Sequence, residues 1–191
     1  IKAKGAADPD SLMSYICTMT RKHKPTTAFE YSCLNFITLQ NVLQNITGKT
    51  LAEYAQENIF DVLGMKNTTY MPTKKPEILK LVAPTEKQPD GSVLCGEVHD
   101  PLARVMNHGN SGNAGVFSNA EDLALLAAAL MNDGEINGKH VLGKLTVEAM
   151  TRVPADLRHI GCSLGWHNFT PYSSNNGHMF HPERTFGHTG Y

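Results

Sequence analysis

The chain has 191 residues, 41% of them apolar and 18% charged, with a formal net charge of −1 at pH 7, which is enough for a substantial buried core. Its cationic clusters, Arg21-Lys22-His23-Lys24 and Lys74-Lys75, are short and isolated; this excludes a phosphate-neutralising stripe and, with it, nucleic acid as a partner. The longest apolar run, Leu123 to Met131, is too short to span a bilayer.

Ile1 in place of Met points to a processed or truncated start, and no signal peptide is evident. Asp8-Pro9 reads as an N-cap followed by proline at the first helical position, with Leu12, Ile16 and Met19 at helical spacing behind it. Lys24-Pro25-Thr26-Thr27 breaks that helix. Ser32 is placed to cap a second helix whose apolar stripe is Phe36, Leu39, Val42, Leu43 and Ile46, with Gly48 as its stop. Thr50-Leu51-Ala52-Glu53 has the form of a capping box and opens a helix running towards Phe60. Residues 66–114 are punctuated by Pro72, Pro76, Pro84, Pro89 and Pro101 and read as a long loop-rich excursion.

Ser118-Asn119-Ala120-Glu121 predicts a second capping box. The helix behind it buries Leu123, Leu126, Ala127 and Leu130 and stops at Asn132-Asp133-Gly134. A short helix is expected over Leu145 to Arg152. From about His159 the period changes: Cys162, Leu164 and Trp166 alternate as in a strand, and Arg184 to Tyr191 reads as another strand. The four cysteines (17, 33, 95 and 162) form no CxxC, so neither a zinc knuckle nor a redox pair is indicated, and disulfides or buried thiols both remain open.

Three stretches carry a resemblance. The first is Phe29-Glu30-Tyr31-Ser32-Cys33-Leu34-Asn35-Phe36, continued through Ile46-Thr47-Gly48 to Val62-Leu63-Gly64-Met65. The second is Val98-His99-Asp100 with Gly112-Asn113-Ala114-Gly115 and Ser118 to Leu123. The third is Leu164-Gly165-Trp166 with Phe186-Gly187-His188-Thr189-Gly190-Tyr191. In order and spacing, across residues 26–191, they resemble the class C β-lactamase-like group of penicillin-recognising serine hydrolases, which includes D-alanyl-D-alanine peptidases, D-aminopeptidases and esterases. Tyr31-Ser32-Cys33 stands at the group's second active-site box and His188-Thr189-Gly190 at its third. The first box, a nucleophilic Ser with Lys three residues on, is absent: no serine of the chain has that lysine.

The resemblance implies an α+β, β-lactamase/DD-peptidase-like fold. Residues 1–191 would be a partial domain, mostly its helical lobe plus one or two strands of the antiparallel sheet. It implies a serine acyl hydrolase working through an acyl-enzyme on D-amino-acid peptides, cell-wall fragments or small esters, with no cofactor and no metal. It also implies export to the periplasm or cell surface. The alternative is a scaffold that has lost its chemistry and binds peptidoglycan or a peptide.

By position, Tyr31 matches the group's proton-shuttling tyrosine. A phenol titrates near about 10 in water, so cationic neighbours must favour its phenolate for it to act as base. Cys33 stands where lactamases carry Asn; a thiol is a poor hydrogen-bonding substitute, which disfavours a β-lactam substrate. His188 replaces the Lys of Lys-Thr-Gly. An imidazole, titrating near about 6.5, weakens a fixed carboxylate clamp and suits a hydrogen-bonding or pH-dependent role. Thr189 orients substrate, Gly190 admits it close to the strand, and the backbone N–H of Tyr191 matches an oxyanion donor. His167, His178, His181 and His188 invite a metal reading, but their spacing and the absence of a partnered carboxylate argue for solvated loop histidines.

Overall fold

The computed structural model describes residues 7–25, 27–153, 162–168 and 185–190. The chain divides into two compact units, one of Ile1–Arg21 with Tyr31–Leu126 and one of Lys22–Glu30 with Ala127–Tyr191.

The first unit is built on capped helices. Helix α1, Pro9–Thr18, starts at Asp8, whose carboxylate accepts from the Ser11 N–H at 2.9 Å. Helix α2, Cys33–Thr47, is capped by Ser32, whose hydroxyl accepts from the Leu34 N–H at 3.2 Å. It ends at Gly48, whose φ of 69° is the left-handed conformation glycine adopts without a Cβ penalty. Thr50 and Glu53 close the expected capping box in both directions and start α3, Leu51–Ala55. A π-helical turn, Gln56–Phe60, and α4, Asp61–Leu63, continue the same helical run to Gly64.

The core of this unit joins α1, α2 and a second π-helical turn, Leu102–Met106. Leu12, Ile37 and Met106 are buried together, with Met13, Ile16, Leu34 and Leu102 packed around them. The face of α2 that turns inward therefore differs from the expected stripe. Ile37 and Gln40 are buried, whereas Leu39, Val42 and Ile46 are 58%, 46% and 79% exposed. Helical spacing alone cannot choose between two neighbouring stripes when what covers the helix is a loop with polar contacts.

Residues 66–114 are more regular than their proline content suggested. They hold β1 (Thr69–Tyr70), a 3-10 turn (Pro72–Lys74), α5 (Pro76–Leu79), the antiparallel pair β2 (Pro84–Lys87) and β3 (Val93–Cys95), and the second π-helical turn. Most prolines sit at element starts, where a missing N–H is harmless: Pro72 and Pro76 are helical first-turn residues and Pro84 opens a strand. Strand β4, Val116–Phe117, pairs antiparallel with β1.

Helix α6 spans Ala120–Met131. Its cap is Asn119, one residue later than expected: the Asn119 side chain accepts from the Asp122 N–H at 2.8 Å. Ser118 instead hydrogen-bonds the Thr68 hydroxyl at 2.7 Å. Asp122 is buried and accepts from the Asn67 N–H at 2.7 Å and the Thr68 hydroxyl at 2.8 Å. Of the face expected to turn inward, Leu130 is buried and Leu126 half-buried, whereas Leu123 and Ala127 are exposed and Ala129 is buried instead.

In the second unit, the hairpin β5 (Glu135–Ile136) and β6 (Lys139–His140) follows, and α7, Lys144–Thr151, buries Val147. Strands β7, His167–Asn168, and β8, Phe186–Gly187, pair antiparallel. The strand expected from Cys162 is a turn up to Trp166: Ser163 N–H donates to the Trp166 carbonyl at 3.0 Å, and Leu164 is exposed. Residues 159–161, and Arg184 and Tyr191 at the ends of the last expected strand, lie outside the described residues. Among the described residues no helix is long and apolar enough to cross a membrane. All four cysteines are free thiols.

Candidate active site

Tyr31 and Cys33 are brought together by the start of α2. Ser32 takes an extended backbone conformation as cap, so the residues either side of it fall near each other, with the Tyr31 hydroxyl 3.9 Å from Cys33 Sγ. Tyr31 is 54% exposed. Its phenol is pushed above the ordinary tyrosine range, first by the hydrogen bond with Cys33, then by burial and by the charges of Cys33 and Asp100. These neighbours oppose the phenolate, because each of them is neutral or negative. Ser32 does what a capping serine does, and its hydroxyl is spent on the Leu34 N–H.

Behind Tyr31, α2 is tied to residues 107–113 by a polar network that sequence reasoning missed. Gln40, buried in α2, accepts from the Gly112 N–H at 2.8 Å and donates to the Asn110 carbonyl at 2.7 Å. The Asn110 side chain accepts from the Ala52 N–H at 2.9 Å, joining the start of α3 to the same loop. A Cβ on Gly112 would come within 2.2 Å of the Phe36 carbonyl oxygen, so only glycine allows the loop this close to the helix. Ser111 is fully buried, accepting from Asn107 at 2.8 Å and donating to Asn113 at 2.6 Å. Asn113 in turn donates to Asp100 at 3.2 Å, and Asp100 caps the following turn by accepting from the Ala103 N–H at 2.8 Å. The density of Asn, Ser and Gly over 107–115 was the available signal, and it marks a packed polar loop rather than a turn-rich linker.

His188, Thr189 and Gly190 leave β8 together and are exposed. The His188 ring lies against that of His167 on β7, with centroids 4.6 Å apart at 39°. Its Nδ1 is 2.6 Å from the Thr189 carbonyl oxygen. The His167 imidazole is held below the ordinary histidine value, mainly by burial and further by His188. Trp166 and Phe186, the aromatic residues preceding these two strands' histidine contacts, meet edge to face at 5.2 Å. Tyr191, the expected oxyanion donor, lies outside the described residues, as do His178 and His181 of the metal reading. Among the described residues no group of three metal-ligating side chains occurs.

The tyrosine cluster belongs to the first compact unit and the histidine cluster to the second. Two cavities of about 250 and 260 Å³ lie in the second and first units respectively; Phe186 lines the one and Val98 the other, while Tyr31, Cys33 and His188 to Gly190 line neither.

Comparison with known proteins identifies the scaffold. Over 197 aligned residues the chain is 30% identical to an N-acetylmuramyl-L-alanine amidase of Bacillus subtilis strain 168, covering 95% of this chain and 44% of that protein. Among solved structures, the octameric penicillin-binding protein homologue from Pyrococcus abyssi superposes with a TM-score of 0.56 at 19% identity, over 78% of this chain and 32% of that one. A D-stereospecific amidohydrolase from Streptomyces sp. gives a TM-score of 0.56 at 19% identity, over 83% of this chain and 44% of that one. The chain therefore spans less than half the length of each. A family model described as Beta-lactamase matches residues 2–191, and the chain belongs to that family, with its α+β fold.

Proposed function

We propose that the protein to which this chain belongs is a serine acyl hydrolase cleaving D-amino-acid peptides, cell-wall fragments or small esters through an acyl-enzyme, and that it is exported to the periplasm or cell surface. The observation that carries the reading is the pair of active-site boxes, Tyr31-Ser32-Cys33 at the N-terminus of α2 and His188-Thr189-Gly190 at the end of β8, in a chain of this family. Names of similar proteins, an N-acetylmuramyl-L-alanine amidase and a D-stereospecific amidohydrolase, support the substrate class. Residues 1–191 are read as part of a single transpeptidase-like domain.

In this mechanism the nucleophilic serine belongs to a Ser-x-x-Lys box outside the chain. Tyr31 takes the serine proton and returns it to the leaving group. Cys33 and Asp100 raise the Tyr31 phenol, and in this mechanism that same lysine supplies the cation that makes it a base. His188 and Thr189 orient the substrate, and Gly190 lets it lie along the strand. The Tyr191 N–H, with that of the nucleophile, binds the oxyanion. Cys33 lines the site without the amide a β-lactam recognition box would use.

Fluorophosphonate labelling of the full-length protein is the test. We expect covalent labelling of the intact protein and none of the 191-residue chain. Tyr31→Phe should reduce turnover by about 10²–10⁴-fold, the usual contribution of a positioned acid–base group. An intact protein that resists the probe would instead leave a scaffold that only binds peptide, and a Tyr31→Phe variant with unchanged turnover would remove Tyr31 from the mechanism.

A further inference from the structure

Asp100 belongs to neither active-site box, yet the polar loop network carries it to the start of α2. Gly112 lies against the Phe36 carbonyl, within one turn of Cys33. Asn113, the next residue of the loop, donates to Asp100 Oδ1 at 3.2 Å. The charge of Asp100 reaches the Tyr31 phenol.

The Asp100 side chain is half-buried, and its two carboxylate oxygens are used unequally. Oδ1 accepts from the Ala103 N–H at 2.8 Å as well as from Asn113. These two bonds fix the carboxyl group and leave Oδ2 as an oriented acceptor. The neighbouring cations are engaged elsewhere. Arg104 donates to the Val98 and His99 carbonyls at 2.6 and 3.0 Å and stands 3.8 Å from Glu86, and His99 Nε2 is 3.5 Å from the same glutamate. Among the described residues no cationic side chain forms an ion pair with Asp100. Capping the 102–106 turn does not require the charge, since Asn or Ser caps as well as Asp.

A carboxylate held in place beside the catalytic tyrosine is a receptor for a cation, because charge-assisted hydrogen bonds are the strong ones. In a D-aminoacyl substrate the α-ammonium is only two bonds from the carbonyl under attack, so a group next to Tyr31 can reach it. We propose that Asp100 is a specificity-determining residue that takes the free α-ammonium of a D-aminoacyl substrate beside Tyr31, so that the enzyme selects substrates with an unblocked amino group over N-acylated ones. The inference rests on the acyl-hydrolase reading above and narrows its substrate class to D-aminoacyl amides, peptides and esters with a free amine.

The test measures kcat and KM of the intact protein on D-alanine p-nitroanilide and on N-acetyl-D-alanine p-nitroanilide, which share a leaving group and differ in the charge on nitrogen. Wild type should favour the free amine in kcat/KM by at least about tenfold, the order expected for one hydrogen bond to a charged group. Asp100→Asn keeps an oxygen for the Ala103 N–H and removes the charge. It should lower the free-amine to N-acetyl ratio of kcat/KM by about tenfold, chiefly through a raised KM for the free amine. A wild type that takes both substrates equally, or favours the acetylated one, would overturn the proposal without recourse to a variant. So would a ratio unmoved by Asp100→Asn, and so would equal losses on both substrates, the mark of a carboxylate that only holds the loop. Fluorophosphonate labelling separates the two readings: a labelled wild type with no preference for the free amine sinks only this inference, and an unlabelled one sinks the hydrolase reading with it.

Discussion

Tyr31 and Tyr70 show how one side-chain type takes different characters from its surroundings. Tyr31 is half-exposed beside a thiol. Tyr70, on β1, is pushed up to about 12 by burial alone. A phenol whose folded value lies above its unfolded one stabilises the fold fully below the unfolded value and loses that contribution as pH rises through the folded value. Stability should therefore hold to about pH 10, the unfolded phenol value, and fall between there and about 12. Chemical denaturation at stepped pH checks this, and Tyr70→Phe should flatten the alkaline decline. At the same scale, Cys33 and His188 are the two places where the boxes depart from the lactamase pattern. Both departures were legible in the sequence, because a box is a run of adjacent residues and needs no fold to be read.

Among the elements, α6 is anchored in its first turn by a buried carboxylate, besides the burial of Ala129 and Leu130 further along. Asp122 satisfies both the Asn67 N–H and the Thr68 hydroxyl from a buried position. Asp122→Ala would leave both donors without that acceptor and should cost about 2–3 kcal/mol, measurable as a lowered urea midpoint. Asp122→Asn, which keeps one acceptor oxygen, should cost less. Helix starts at Asp8, Ser32 and Thr50 were legible because a cap is decided by residues within four positions of one another. The cap of α6 was misplaced by one residue because Ser118 is drawn away to Thr68, fifty positions distant. Local capping rules carry no information about such a competitor.

Across the whole molecule, the two compact units divide the motif residues between them, Tyr31 and Cys33 in one and His188 to Gly190 in the other. The apolar stripe Leu39, Val42 and Ile46 of α2 is exposed in this chain. Ile46→Lys should consequently change the stability of the 191-residue chain by no more than about 0.5 kcal/mol, as surface substitutions do. A thermal melt of that variant checks the assignment, and a loss of several kcal/mol would show that the stripe is covered. By itself the sequence determined the helix caps at Asp8, Ser32 and Thr50, the order of the boxes and hence the family, since each is written in neighbouring residues. Only the tertiary structure decided that Ile37 and Gln40, not Leu39 and Ile46, turn inward, and that His167 meets His188. Burial and ring contact depend on what packs from distant parts of the chain, here the 107–113 loop against α2 and β7 against β8. No local periodicity encodes that choice.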